Sequence, residues 1–313
     1  MRNKSTSSRF RGASLLQARG GEFGDKVYVC VNGFRHYVPS VDRLTHYGLQ
    51  WPQDLIQVSD TVLASFAIGG WLPTQFSEDV QPEAIRSSLT MREYMAATLH
   101  GIGLEVGAGA SPFPVPLDCK VLFGDRISHN QLVAELYPGQ RDYELVCPDI
   151  LTDFDDFAGV ADNSLNFIIG CHVVEHVFDP IGTLVNAHRK LRPGGQLLLV
   201  VPDMARTFDH NRPLTALEHL KLDHFSPDTE RDRAHYEEFY RLAFKTSEAE
   251  LPHKVKQEFE RRGDLHVHVW NYETFGELVD FVDQNLSKWS QRWSHPTLPD
   301  QQHDIEFYYR LTK

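Results

Sequence analysis

From residue 85 onward the chain alternates between two hydrophobic patterns. EAIRSSLTMREYMAATLH repeats its apolar positions at helical spacing, and GLEVGAG then runs apolar into a Gly-rich turn. CKVLFGD, LNFIIG and QLLLVVPD are further apolar runs of strand length, each closing on a polar residue or glycine. Between the last two, PIGTLVNAHRKLRPGG sets Ile181, Leu184, Val185, His188 and Leu191 on one helical face, with Gly194 past its end. Buried strands joined by a helical crossover predict an α/β fold built on a Rossmann-like, mostly parallel sheet.

Upstream the patterning differs. KVYVCVNGFRHYVPS carries two short runs of β-branched and aromatic residues around Asn32-Gly33, a dipeptide suited to a tight hairpin turn. The stretch that follows closes at Gly69-Gly70, which bounds a small β-rich module over 25–70. Residues 1–24, rich in Ser, Arg and Gly, read as a flexible tail, and the Pro-containing stretch 71–84 as a linker. In the domain that fills 85–313, the dense charge of 228–263 marks a helical insertion, whose position suits either a solvated excursion or a lid. YETFGELVDFVDQ is amphipathic, and DIEFYYRLTK reads as a late edge strand.

Charge narrows function more than fold. Lys and Arg total 31 against 43 Asp and Glu, a formal net charge of -12. That balance disfavours long nucleic acids, whose binding depends on a basic face. It leaves room for a short RNA or a sugar nucleotide in a locally basic pocket. Cys30, Cys119, Cys147 and Cys171 are scattered without C-x-x-C spacing, as free thiols in a reducing compartment would be. The basic, Ser-rich start lacks the apolar core of about 7–15 residues that marks a secretory signal. No run approaches the ~20 apolar residues of a membrane span. A cytoplasmic location is the expectation.

The chemistry begins at LEVGAGASPFPVP. Glycines at 107 and 109 let backbone approach a ligand where a Cβ would collide. The dinucleotide fingerprint G-x-G-x-x-G requires a glycine at 112, where the chain has Pro112, and a pyrophosphate-binding helix cannot start inside SPFPVP. A dehydrogenase is therefore disfavoured. Asp125 closes the next strand, where an acid can accept both hydroxyls of a ribose.

Together LEVGAGASPFPVP, VLFGD, DILTDFDDF, LNFIIGCHVVEHVFDP and LRPGGQLLLVVPD resemble the class I S-adenosylmethionine-dependent methyltransferases, over roughly 95–205. The first loop, NRPLT and LEHL are similar to a bacterial subgroup associated with glycan synthesis. The resemblance implies a seven-stranded methyltransferase sheet and S-adenosylmethionine as cofactor. It assigns Glu105, Gly107, Ala108 and Gly109 to the methionine end and Asp125 to the ribose. It assigns Asp153, with Asp149 as competitor, to the adenine amine, and Cys171 and His172 to the neighbourhood of the sulfonium. Ser111 and Pro112 depart from the usual small residue and helix start.

Methyl transfer to a hydroxyl needs an oriented nucleophile and a proton acceptor. CHVVEHV offers His172, Glu175 and His176, and DLHVHVWNYETF offers His266 and His268. In a strand the two residues of H-x-H point the same way, so either could reach the pocket. The pairing resembles metal-dependent RNA 2′-O-methyltransferases, in which an E-x-x-E-H segment and a later His hold a divalent ion. His172 replaces the first Glu of that pattern, so His172, Glu175, His176 and His268 would suit a transition metal. Asp203, Arg206, Asp209, Arg212, His219 and His224 fall at the sheet's carboxyl edge, where α/β folds bind ligands.

These features converge on O-methylation of a saccharide or other polyhydroxylated small molecule. The rivals are a metal-assisted RNA 2′-O-methyltransferase and a catalytically silent binding subunit that keeps the fold.

Overall fold

The computed structural model describes residues 12–74, 76, 80–141, 144–298 and 304–313. Two sheets organise them. The N-terminal module is a five-stranded sheet of β1 (Ser14–Ala18), β2 (Val27–Val31), β3 (Phe34–Tyr37), β4 (Leu55–Val58) and β5 (Ala67–Ile68), in the order β4-β1-β2-β3-β5. Asn32 and Gly33 both take positive φ, 54° and 86°, as the tight turn between β2 and β3 requires.

Strand β1 falls inside the stretch expected to be a tail. Leu15 and Leu16 are buried and β1 pairs with both β2 and β4, so the apolar pair overrides the polar composition around it. The rest of that expectation, residues 1–11, lies outside the described residues. The linker is packed where it is described. Leu72 is fully buried and donates its N–H to Tyr37, and Pro73 accepts a hydrogen bond from the Tyr47 hydroxyl. Arg43 of the module pairs with the buried Glu93 of the second helix. The helices so far are α1 (Asp60–Ala64) and α2 (Ser88–Ala96).

The main sheet has seven strands: β6 (Ile102–Val106), β7 (Lys120–Asp125), β8 (Ile150–Leu151), β9 (Leu165–Cys171), β10 (Leu191–Pro202), β11 (Gln291–His295) and β12 (Glu306–Thr312). Their order is β11-β12-β10-β9-β6-β7-β8, with β12 antiparallel to both neighbours. The α/β fold with a seven-stranded, mostly parallel sheet is therefore present. The terminal strand is not at the edge: β12 lies between β10 and β11, because Phe307, Tyr308 and Leu311 are apolar toward both faces and fully buried. The edge falls to β11.

Helices α3 (His129–Gln131), α4 (Pro180–Lys190), α5 (Leu217–Phe225), α6 (Thr229–Leu242), α7 (Leu251–Glu260) and α8 (Tyr272–Asn285) complete the domain. Helix α4 starts where Asp179 accepts the Gly182 N–H and Pro180 occupies a first-turn position, then buries the face of Ile181, Leu184 and Ala187. The charged insertion is the α6–α7 hairpin, whose apolar side (Tyr236, Phe239, Tyr240, Val255) packs with Leu265 and Val267. No helix among the described residues is long and apolar enough to cross a membrane.

Candidate active site

The carboxyl ends of β6, β7, β8 and β9 open into a cavity of about 860 Å³. Gly107 and Gly109 come from β6, Asp125 and Arg126 from β7, Asp153 and Asp155 from beyond β8, and His172 and His176 from beyond β9. The α6–α7 hairpin covers the far side with Thr229, Asp232, Tyr236, Phe259 and Glu260. Six carboxylates (Asp125, Asp153, Asp155, Asp232, Glu260, Asp264) face two arginines (Arg126, Arg262) across it. The excess of acid opposes a polyphosphate and favours cations and hydroxyl donors.

The first loop solves the absence of a helix in its own way. Both oxygens of Glu105 accept the Phe113 N–H, at 2.9 and 3.1 Å, so the acid ties down a loop that runs without helix through 111–116. Glu105 is 2% exposed and lies beneath the cavity rather than in it. Burial pushes its carboxyl up to about 8, against the opposing Phe113 N–H and Arg92. Gly107 and Gly109 line the cavity at φ 73° and 53°. A Cβ at Gly109 would stand 2.3 Å from the Tyr137 hydroxyl, and one at Gly107 3.0 Å from Val173. Ala108 only closes the turn, its carbonyl accepting the Ser111 N–H.

Asp125 lines the cavity, with one oxygen accepting the Ile127 N–H at 3.1 Å. Of the two adenine candidates the structure brings in Asp153; Asp149 is exposed and spends one oxygen on the Phe123 N–H, pinning β7 to the loop before β8. Asp155 went unnoticed in the sequence. It lines the same wall, and burial, with the charges of Asp153 and Asp179, pushes its carboxyl up to about 7. Cys171 does not reach the cavity. It faces the core beneath α2, where burial drives its thiol far upward.

His172 does reach the cavity, at a positive φ of 55° that the hydrogen bond from its N–H to Val200 helps to hold. Its Nε2 lies 2.8 Å from Glu306 on β12. Arg92 of α2 grips the same carboxylate with two nitrogens, and Tyr308 donates to it at 3.1 Å. Burial alone would raise Glu306; hydrogen bonds from His172 and Arg92 outweigh it and hold the group at about 2. Neither Arg92 nor Glu306 carries any local signal in the sequence, since the pair spans the whole domain.

Glu175 occupies the hub between histidines. It is fully buried, and its Oε1 lies 3.8 Å from His172 Nδ1, 3.8 Å from His176 Nε2 and 3.9 Å from His266 Nε2. His176 reaches Asp264 at 3.0 Å. Burial works to lower its pKa, but Asp264 and Glu175 together raise it to about 9. His266 Nδ1 sits 2.6 Å from Asp209, and Arg212, itself bound to Asp209, donates to the carbonyls of His266 and Val267. Asp209 and Arg212 thus shape the segment that carries His266.

The expected set of His172, Glu175, His176 and His268 does not form. Residues 264–268 are not a strand, so His266 and His268 diverge. His266 joins Glu175 and His176 within ligand distance, whereas His268 is buried in a second group with His219, Asp223 and His235. His172 is held toward Glu306. The other carboxyl-edge residues tie loops: Asp203 caps the turn at Ala205 and accepts from Thr297, Arg206 donates to the carbonyls of Leu298 and Asp304, and His224 meets Asp179.

Residues 82–237, about half of the chain, match the family model described as a methyltransferase domain. This chain carries a methyltransferase domain. The methyltransferase fold accounts for the strand order, with β12 inserted antiparallel beside β10. No curated protein matches the chain. Among solved structures it is similar to the CurJ carbon methyltransferase (16% identity, 69% of this chain and 49% of that one, TM-score 0.37). It is similar also to a Thermotoga maritima "SAM-dependent methyltransferase, possible histamine N-methyltransferase" (15%, 67% and 81%, TM-score 0.36). A third is a Rhodobacter sphaeroides protein named as a Zn-dependent alcohol dehydrogenase (12%, 74% and 91%, TM-score 0.42). The chain spans about half the length of the CurJ chain. These likenesses are distant, and the acceptors those proteins are named for remain their own.

The cavity of this methyltransferase domain fits S-adenosylmethionine on its own evidence. Two positive-φ glycines form a cradle that a Cβ would fill, and carboxylates stand where a ribose and an amine can be met. Gly107, Gly109, Asp125 and Asp153 would hold the cofactor.

Proposed function

We propose that this methyltransferase acts on a hydroxyl of an uncharged, polyhydroxylated small molecule of the saccharide type, with His172 as proton acceptor. S-adenosylmethionine, when bound, supplies an electrophilic methyl group; the chain's own residues must orient the acceptor and take its proton. The observation that carries the reading is the hydrogen bond between His172 Nε2 and the ionised Glu306. It places the ring proton on Nε2, so a neutral ring keeps its lone pair on Nδ1, the nitrogen that lies 3.8 Å from Glu175 Oε1. A base oriented by a carboxylate is the arrangement that removes a proton from a weakly acidic hydroxyl. Arg92 and Glu306 are positioning residues in this scheme.

The acidic cavity wall supports the acceptor class. Asp155, Asp232 and Asp264 can each accept hydrogen bonds from sugar hydroxyls, whereas phosphates of an RNA would meet six carboxylates and two arginines. His176, held cationic at neutral pH by Asp264 and Glu175, is not a base there. It and Glu175 serve as a charged pair behind the acceptor.

A metal-assisted version has one specific observation in its favour: Glu175 Oε1 has no hydrogen bond among the described residues and faces His176 and His266 within ligand distance. The test for both is a methylation assay with S-adenosylmethionine and a panel of glycosides, short RNAs and amines, read by mass spectrometry. Methyl ethers on the glycosides are the expected product. Transfer only to amines, carbon or RNA would sink the proposal. Loss of turnover on chelation in a protein whose fold is unchanged would favour the metal-assisted version.

A further inference from the structure

We infer that His219, Asp223, His235 and His268 form a zinc-type metal site, closed by four protein ligands, that fastens the α6–α7 hairpin to the domain. His219 and Asp223 lie one turn apart on α5, His235 comes from α6, and His268 from the segment before α8. Each offers one donor atom, and all four donors lie within 4.8 Å of one another.

Two of the donor separations match those of ligands around a small cation. His219 Nε2 lies 3.2 Å from His235 Nε2 and 3.1 Å from Asp223 Oδ2, and His268 Nε2 lies 3.8 Å from the same oxygen. Ligand bonds of 2.0–2.1 Å in a tetrahedron put donor atoms about 3.3 Å apart. A hydrogen-bond network accounts for the group less well. One proton on His219 Nε2 cannot point at both His235 and Asp223, and two imidazole nitrogens facing each other need a donor between them. A cation at the centre meets every donor at once.

Burial agrees. Asp223, His235 and His268 are 6%, 7% and 0% exposed, with the His219 side chain at 35%, and Asp223 Oδ2 has no hydrogen bond among the described residues, while His268 Nε2 also lies 3.3 Å from the Phe178 carbonyl. The second Asp223 oxygen accepts from Arg231, the outer partner that ligating carboxylates keep. Nitrogen ligands with one carboxylate select zinc-like ions over magnesium or calcium. A site with no open position has a structural role.

The test uses the full chain, purified without a histidine tag from zinc-supplemented cells. Elemental analysis should find about one zinc ion per chain. Cobalt(II) exchange should give the visible bands of a four-coordinate ion. His235→Ala and Asp223→Asn should lose the ion and the bands, and Arg231→Gln should weaken zinc affinity by about 10–100-fold. Glu175→Gln should keep both. Zinc K-edge spectra of the wild type, which need no variant to fold, should fit three imidazoles and one carboxylate at about 2.0–2.2 Å. A wild-type chain that holds no zinc and binds no added cobalt overturns the inference. So does an ion that survives Asp223→Asn and is lost in Glu175→Gln, which would place it in the cavity group instead.

Discussion

Two histidine groups sit side by side in this molecule, and they differ in what faces them. The group around Glu175 borders the cavity, with His172 and His176 in its wall, and each of its rings has a carboxylate of its own: Glu306, Asp264 and Asp209. The group around Asp223 lies off the cavity and is buried except for His219, whose side chain is 35% exposed, and three rings share one carboxylate oxygen or its immediate surroundings. Separate partners allow each ring to hold its own proton state, which suits proton transfer. Donors gathered around one shared carboxylate suit a metal ion. If both proposals hold, the same residue types serve opposite ends, and the division of carboxylates decides which.

The sharpest way to break this comparison is to remove one ring from each group. His172→Ala should lower kcat by about 10²–10⁴-fold, the range for loss of a general base. Cofactor affinity should hold. Single-turnover rates beside calorimetric binding check this; intact turnover would return His172 to a packing role. His268→Ala should act in the opposite sense. Truncating a fully buried ring is expected to cost about 3–5 kcal/mol of stability, read by denaturant unfolding.

A smaller effect is expected at the cofactor cradle, which serves as a control for both groups. Gly109→Ala forces a side chain into a positive-φ position against Tyr137 and should weaken S-adenosylmethionine binding by at least about tenfold, the equivalent of 1.4 kcal/mol. Isothermal titration measures it, and unchanged affinity would move the methionine end away from this loop.

The smallest effect is a pH dependence confined to the cavity group. The His176 pKa is raised in the fold, to about 9 from 6.5. Its pairing therefore contributes fully below pH 6.5, and that stability is lost as pH rises through 9. Glu175→Gln removes one of the charges that raises it, so melting temperature should fall less steeply over this window than in the wild type. A slope unchanged by Glu175→Gln would leave Asp264 alone in control of His176.

The main sheet was legible because its strands are apolar runs with few polar interruptions; Gly107, Gly109 and Asp125 stand out because they lie at or just past the ends of two of them, whereas Asp153 rests on the resemblance alone. What escaped has a common cause. Glu306 matters through Arg92 and His172, partners more than a hundred residues away, and separation of that order leaves no pattern in either segment. H-x-H failed because it presumed a strand, whereas Arg212 draws the His266 and Val267 carbonyls to itself and turns the two rings apart. Glu105 was placed with the cofactor by resemblance. The missing helix gave its carboxylate another task.

The place of β12 inside the sheet has a consequence for how the enzyme comes into being. Ribosomes extend chains from the amino end, so β10 and β11 are made before the strand that must pass between them. Until it arrives, β10 has an open edge, Arg92 has no carboxylate to grip, and His172 lacks the acceptor that orients it. A nascent chain can gather its glycine loop and its acids early, but the ring proposed as its base is oriented only when the sheet closes. Proteolysis that removes β12 would undo the same step, so catalytic competence reports that this last strand is in place.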